Sequence, residues 1–347
     1  MIDKSELVLV TGAAGYIGTR VVKRLLDGGF RNIRCLVRPS TSASRIDTLR
    51  KLSEAGCLQI FSGDLFSPAD CDVAVKDVSV VLHLAAGRGV KSYPDAFLNT
   101  VVVTRNILDA CVKYGRIKRF VSVGSFVVYS NRGKQRRRLL DETCPVEERP
   151  ELRGEAYCYA KARQDDLVIE YGRKFHLPYV IVRPGVVYGP GNTALSGRVG
   201  IDTFGIFLHL GGSTQIPLTY VDNCADAIVQ VGWALGIDGE IFNIVDDNLP
   251  SSRQLLRLYK RNVKRFPSIY VPKPVSYALC SLWARYSVWS QGQLPPAFNT
   301  YRWNALWKTT RFTNQKLKLR VGWTQPIPTS EGLEHYFEAC RGGGTCA

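Results

Sequence analysis

A glycine-spaced turn, Thr11-Gly12-Ala13-Ala14-Gly15-Tyr16-Ile17-Gly18, follows the apolar run Glu6-Leu7-Val8-Leu9-Val10. It opens a segment whose Val21, Val22, Leu25 and Leu26 fall on one 3.6-residue face and which Gly28-Gly29 ends. A strand, a glycine turn and a helix in that order narrow the possible folds, because each glycine has a physical task. Gly12 allows the tight turn, Gly15 lets backbone approach a pyrophosphate, and Gly18 lets the helix lie against the strand. The helix then presents free N–H groups and its positive dipole end to the phosphates. Within a repeating strand–helix pattern, this spacing predicts a nucleotide-cofactor site rather than an ordinary Gly-rich turn.

The pattern continues. Asn32–Val37, Leu58–Phe61, Val80–Leu84, Arg119–Val123 and Pro178–Val182 read as strands separated by helical or loop segments. Alternation of this kind predicts an α/β fold with a doubly wound parallel sheet of the Rossmann type. Beyond about residue 185 glycine- and proline-punctuated segments give way to Trp/Tyr-rich helical stretches. The expected organisation is a nucleotide-binding domain over 1–185 and a smaller, mostly substrate-binding lobe over 186–340 with some segments returning to the sheet. Residues 341–347 form a mobile tail in this reading, and the cleft lies at the carboxyl ends of the strands.

The ten cysteines include no CxxC pair, and the four histidines, His83, His176, His209 and His335, do not cluster with them. Neither a zinc site nor a disulfide framework is indicated, so reduced thiols in a cytoplasmic protein are expected. Met1 to Glu6 is polar, unlike a signal peptide, and the longest uncharged stretch, Thr203–Val221, is broken by Gly211, Gly212 and Pro217. Pro274–Trp289 carries Tyr277, Leu279, Leu282, Trp283, Tyr286 and Trp289 with Arg285 as its one charge. It reads either as a buried lid or packing helix or as a peripheral membrane contact. The net charge of +16 includes clusters at Arg116/Lys118/Arg119 and Lys134/Arg136/Arg137/Arg138, which favours anionic partners. No nucleic-acid module accompanies that charge, so specific nucleic-acid binding is not expected.

Tyr157 and Lys161 stand at i and i+4, on one face of a helix continuing through Leu167, Val168 and Tyr171. A fixed ammonium lowers the phenol from its usual value of about 10, making it a usable acid or base near neutral pH. Tyr159 points elsewhere and reads as packing. Ser125 follows the strand-like Phe120-Val121-Ser122-Val123, where its hydroxyl serves either a substrate oxygen or the cap of a turn; Ser122 lies inside the strand.

Further motifs recur in order: Gly63-Asp64-Leu65, His83-Leu84-Ala85-Ala86, Asn99, Arg183-Pro184-Gly185-Val186-Val187-Tyr188-Gly189-Pro190-Gly191, Tyr220-Val221-Asp222-Asn223 and Phe242-Asn243-Ile244. With the glycine turn and Ser125, Tyr157 and Lys161, the chain resembles the extended short-chain dehydrogenase/reductases of the NAD-dependent epimerase/dehydratase superfamily over nearly its whole length. The resemblance implies a Rossmann domain binding NAD(P), with Gly12, Ala14, Gly15, Tyr16, Ile17, Leu65, Leu84, Asn99, Pro184 and Val187 at the cofactor. It places Asp64 near the adenine, the Ala85-Ala86-Gly87 backbone near the cofactor's middle, and Lys161 on the nicotinamide ribose. It makes Ser125 and Tyr157 the catalytic pair. Read alone, Asp64 is a turn residue and Asn99 a group satisfying buried backbone.

Phe126-Val127 stands where the nucleotide-sugar 4,6-dehydratases carry Asp-Glu, which disfavours water elimination. Arg183-Pro184-Gly185-Val186 lacks the RxxN asparagine of nucleotide-sugar epimerases and looks like the dihydroflavonol-reductase and 3β-hydroxysteroid-dehydrogenase branch. Hydride transfer between nicotinamide and a secondary alcohol or ketone is therefore expected, with NAD-dependent nucleotide-sugar epimerisation the alternative. Tyr129 and Tyr188 are expected to line the substrate pocket. After the second strand, where NAD sites usually place an acid, stands Arg38. Arg38 either pairs with a 2′-phosphate, favouring NADP over NAD, or stacks on the adenine. The resemblance also implies a homodimer through the helices containing Asn99–Tyr114 and Tyr157–Tyr171.

Overall fold

The computed structural model describes residues 3–52, 57–87, 92–132, 139–291, 293 and 298–342. The basic cluster of Lys134, Arg136, Arg137 and Arg138, and the tail from 343 onward, lie outside the described residues. Seven parallel strands form the main sheet: β1 (Val8–Thr11), β2 (Ile33–Val37), β3 (Leu58–Ser62), β4 (Val80–His83), β5 (Arg119–Val123), β6 (Tyr179–Pro184) and β7 (Glu240–Ile244). Their spatial order is β7-β6-β5-β4-β1-β2-β3, a doubly wound Rossmann-type sheet. Strand order reverses between β1 and β4, the crevice at which such sheets bind ligands.

Alternation along β1 explains how the sheet is covered. Val8 and Val10 face a core containing Val21, Val22 and Leu25 of the helix Tyr16–Asp27 and Ile228 and Val231 of the helix Val221–Trp233. Leu7 and Leu9 face the opposite core, with Ile107, Leu108, Phe120 and Val168. Burial on both faces is why the strands read as continuous apolar runs rather than alternating ones. Several strand boundaries differ from the sequence reading by one or two residues, two of them for visible local reasons. β4 stops at His83, where the Ala85 N–H turns onto the Thr11 hydroxyl at 3.2 Å and the Leu84 N–H is shared between that hydroxyl and the Thr11 carbonyl. β6 starts at Tyr179 because Pro178 has no N–H to give the ladder, although its carbonyl still accepts from Phe120.

Among the described residues three smaller sheets accompany the main one, the smallest pairing Arg311–Phe312 with Leu139–Leu140. Val186–Tyr188 pairs with Leu218–Tyr220, and Gly200–Thr203 and Ile206–His209 form a hairpin that Ser268–Tyr270 joins. β7 carries the later part of the chain back to the main sheet beside β6. Pro274–Trp289 falls in the helix Lys273–Trp289, which is not buried as a packing helix would be, and most of its large apolar side chains face water. Among the described residues no helix is long and apolar enough to cross a membrane, and no cluster of potential metal ligands occurs. Cys35, Cys71, Cys111, Cys158, Cys224 and Cys280 are buried thiols.

Candidate active site

The glycine turn joins β1 to the helix Tyr16–Asp27. Gly12 has φ +68, and a Cβ there would sit 3.1 Å from the Ala85 nitrogen. A Cβ on Gly18 would fall 2.1 Å from the Gly12 carbonyl oxygen and 2.8 Å from that of Ala13, so helix and strand approach as closely as glycine permits. Gly15 occupies the N-cap; no side chain caps it and the first turn holds no acid, which leaves backbone N–H groups and the dipole to an anion. These features fit a dinucleotide pyrophosphate. Gly18→Ala is expected to push the helix off the turn and weaken nucleotide binding about 10–100-fold, as overpacking of about 1–3 kcal/mol implies, in a fluorescence titration.

The other expected cofactor residues lie at strand ends and in the core beside them, with Leu84 and Ala85 directly against Gly12. Ala14, Ile17, Leu84 and Val187 border the same core cluster. Ala85 is buried against Gly12, Ala86 is half-buried at the end of β4, and Pro184 ends β6. The Tyr16 ring lies against the glycine-rich loop, where a Cβ on Gly191 would come within 3.2 Å of it. Burial pushes the Tyr16 phenol above its ordinary value. Asp64 closes a turn by accepting from Phe66 N at 3.0 Å, Leu65 is buried, and Arg38 stands exposed just after β2.

A buried hydrogen-bond chain connects β1 to Lys161. The Thr104 hydroxyl gives its proton to the Thr100 carbonyl at 2.6 Å, so it accepts from Gln164 Nε2 and from His83 Nε2, both at 2.9 Å. His83 therefore holds its proton on Nε2, and its Nδ1 accepts from the Thr11 hydroxyl at 2.9 Å. Burial lowers the His83 pKa to about 3, so the ring is neutral and structural. Lys161 Nζ donates to Gln164 Oε1 at 2.8 Å and to the Val123 carbonyl at 2.7 Å. Burial lowers its pKa to about 8, with the Asp165 carboxylate opposing the fall. Asn99 lies in a π-helical turn, Leu98–Val102, where Nδ2 donates to the Asp95 carbonyl at 3.0 Å. Such turns are frequent at functional sites.

Ser125 heads the short turn Phe126–Val128 and accepts from Val127 N at 3.3 Å, so it caps that turn, and its hydroxyl stands near enough to the Tyr157 phenol to act on its pKa. The phenol of Tyr157 differs from expectation: its pKa is raised. Burial dominates, the Ser125 hydrogen bond opposes it, and the Asp165 carboxylate adds to the rise. The Lys161 ammonium does not depress the phenol because it is turned onto Val123 and Gln164. Tyr159 packs as expected, edge-on to Tyr93.

Behind this pair Arg183 and Asp165 form a buried ion pair at 2.9 Å, and the Arg183 guanidinium lies 4.7 Å from the centre of the Tyr129 ring. Tyr129 and Tyr188 do not line an open pocket, which corrects the sequence reading. Both are almost wholly buried, with hydroxyls donated to Asn243 Oδ1 at 2.8 Å and Asp246 Oδ2 at 3.0 Å. The internal acceptors and the packing of Tyr188 among Tyr220 and Tyr336 hold these rings in the core. Sequence reasoning missed Thr11, Thr104, Gln164 and Asp165. The last two stand at i+3 and i+4 from Lys161, a spacing that places them beside it.

Comparison with known proteins agrees with this fold. A putative anthocyanidin reductase of Ginkgo biloba is 29% identical over 201 residues, covering 55% of this chain and 58% of that protein. A 3beta-hydroxysteroid-dehydrogenase/decarboxylase of Arabidopsis thaliana is 25% identical over 362 residues, covering 95% of this chain and 79% of that protein. The trifunctional UDP-glucose 4,6-dehydratase/UDP-4-keto-6-deoxy-D-glucose 3,5-epimerase/UDP-4-keto-L-rhamnose-reductase of the same plant is 28% identical over 270 residues, 70% of this chain and 37% of that protein. The chain thus spans little more than half of the first relative's length and well under half of the third's. Among solved structures, gox2253 shares the fold at a TM-score of 0.79 with 23% identity, over 98% of this chain and 99% of that one. The UDP-glucuronic acid 4-epimerase of Bacillus cereus does so at 0.71 with 20% identity, over 96% and 99%. The model of the NAD dependent epimerase/dehydratase family matches residues 8–244, and the chain belongs to that family.

Proposed function

We propose that this protein is an NAD(P)-dependent oxidoreductase that moves hydride between nicotinamide and a secondary alcohol or ketone. The placement of the Ser125 hydroxyl beside the Tyr157 phenol carries the reading, with Lys161 one helical turn along. The bound nicotinamide would supply or accept the hydride. Tyr157, kept protonated by burial, gives its proton to the carbonyl oxygen as the carbon is reduced, and Ser125 orients that oxygen. Lys161, fixed by Gln164 and Val123, would hold the nicotinamide ribose. Residues 1–185 would bind the cofactor and 186–340 would mostly shape the substrate site. The reductase and dehydrogenase among the relatives support this reading, and the epimerases among them fit the alternative of nucleotide-sugar epimerisation. Turnover is tested by mixing the protein with NADPH and a panel of apolar ketones and following NADPH loss against alcohol formed.

NADP is the preferred cofactor in this reading, supported by the exposed Arg38 at the end of β2, where a guanidinium can take a 2′-phosphate in bidentate fashion. Arg38→Glu is expected to weaken NADPH at least about tenfold more than NADH, as loss of about 1.5–3 kcal/mol of charge-assisted hydrogen bonding implies. Equal weakening of both cofactors in a calorimetric titration would remove the preference. A cytoplasmic homodimer completes the reading. Exposed Leu98 and Tyr114, at the two ends of the paired helical segments Leu98–Val102 and Val103–Tyr114, and Phe175 on the helix Ala156–Phe175 support that interface.

A further inference from the structure

The helix Lys273–Trp289 leaves an apolar face in water. Its stripe at i, i+4, i+7, i+11 and i+14, namely Val275, Leu279, Leu282, Tyr286 and Trp289, is exposed, at 48%, 56%, 59%, 49% and 77%. The stripe turned to the protein holds Ser276, Cys280 and Ser287 with the half-buried Trp283, whose ring packs edge-on to Phe298. A monomer surface rarely keeps so continuous an apolar stripe without a partner.

Charge decides which partner. From Asn248 to Ser330 the sequence has no Asp or Glu, yet it holds fourteen Lys and Arg residues. Arg253, Arg257, Arg261, Lys264 and Arg265 are exposed, and the ion pairs among the described residues involve none of them. Arg253 stands nearest the helix: it lies 5.3 Å from the centre of the Tyr270 ring, and Tyr270 ends the strand that leads into the helix. Arg285 adds a cation on the helix itself. A second copy of the chain would bring together two surfaces on which Arg253, Arg261, Lys264 and Arg265 have no ion pair among the described residues, which electrostatics opposes. Nucleic acid would satisfy the charge but leave the Val, Leu and Trp stripe in water. An anionic bilayer satisfies both, with acyl-chain boundary for the stripe and headgroup phosphates for the cations.

We propose that the helix Lys273–Trp289 and its basic surroundings dock this protein peripherally on an anionic membrane surface. The stripe lies in the interface plane without crossing it, and the catalytic residues stay in the aqueous domain. The test is flotation of the whole protein with vesicles of phosphatidylcholine alone or mixed with phosphatidylglycerol, at low and high salt. The expected result is at least about tenfold stronger association with the anionic vesicles, weakened by salt as screening requires. Leu282→Glu with Trp289→Glu is expected to lose at least tenfold of that association while leaving nucleotide binding unchanged, which shows that the variant is folded. Three results would overturn the proposal: equal or absent flotation with both vesicle types, flotation undiminished in the double variant, or a dimer that the double variant dissociates in the absence of lipid binding. Displacement by RNA with no vesicle association would assign the surface to nucleic acid and overturn it too.

Discussion

Tyr157→Phe is expected to lower ketone reduction by about 10²–10⁴-fold, the usual contribution of a positioned proton donor. Nucleotide affinity should change by less than about twofold, because the phenol stands beside the Ser125 hydroxyl after β5 and not in the glycine turn. The size of the effect follows from the proton: the raised pKa keeps the wild-type phenol in its donating form through neutral pH, and phenylalanine has none to give. Single-turnover reduction with bound NADPH separates the proton step from release. A wild-type rate in the phenylalanine variant would move the donor elsewhere.

Arg183→Leu is expected to destabilise the fold by about 3–5 kcal/mol, the typical cost of leaving one member of a buried pair uncompensated. Both side chains of the Asp165–Arg183 pair are 2% exposed, and the described residues offer the Asp165 Oδ1 atom no other hydrogen bond. Gly124 cannot yield to let water in, because its Cα already packs so closely that an added Cβ would sit 2.8 Å from that oxygen. The double variant Asp165→Leu, Arg183→Leu should recover much of the loss, since removing both charges removes the stranded one. Urea unfolding of the three proteins measures the coupling. Additive losses would mean that the pair does not stabilise the fold as a unit.

Six of the seven strands were readable from sequence because they are local chemistry repeated: apolar runs, glycine turns and helical periodicity each follow from nearby residues. The seventh, Glu240–Ile244, returns from the later part of the chain and pairs with β6 only after the chain has folded back. Tyr157, Lys161 and Ser125 were readable for the same reason, as one helix face and one strand end. The buried chain Thr11–His83–Thr104–Gln164–Lys161 was not, since its members come from β1, β4 and two helices and meet only after packing. That assembly also explains the misread role of Lys161: spacing put it on the Tyr157 face, but Gln164 and Val123 captured its ammonium. Tyr129 and Tyr188 were misplaced because an aromatic beside a motif looks the same whether its hydroxyl meets substrate or a buried Asn243 or Asp246. The helix Lys273–Trp289 was the hardest to place, because apolar residues at helical spacing do not say whether protein or solvent covers them.

Identifying the nucleotide that the purified protein holds, and how readily it exchanges, tests the central claim most directly. Denaturation followed by mass analysis reads what was bound, and titration of the emptied protein with NADPH and NADH reads what it takes up. The account predicts an empty or freely exchanging site that binds one NADPH per chain, more tightly than NADH. Stoichiometric NAD that does not exchange would instead mark an enzyme that recycles its cofactor within each turnover, as an epimerase does. Failure to bind either nucleotide would contradict the account at its root.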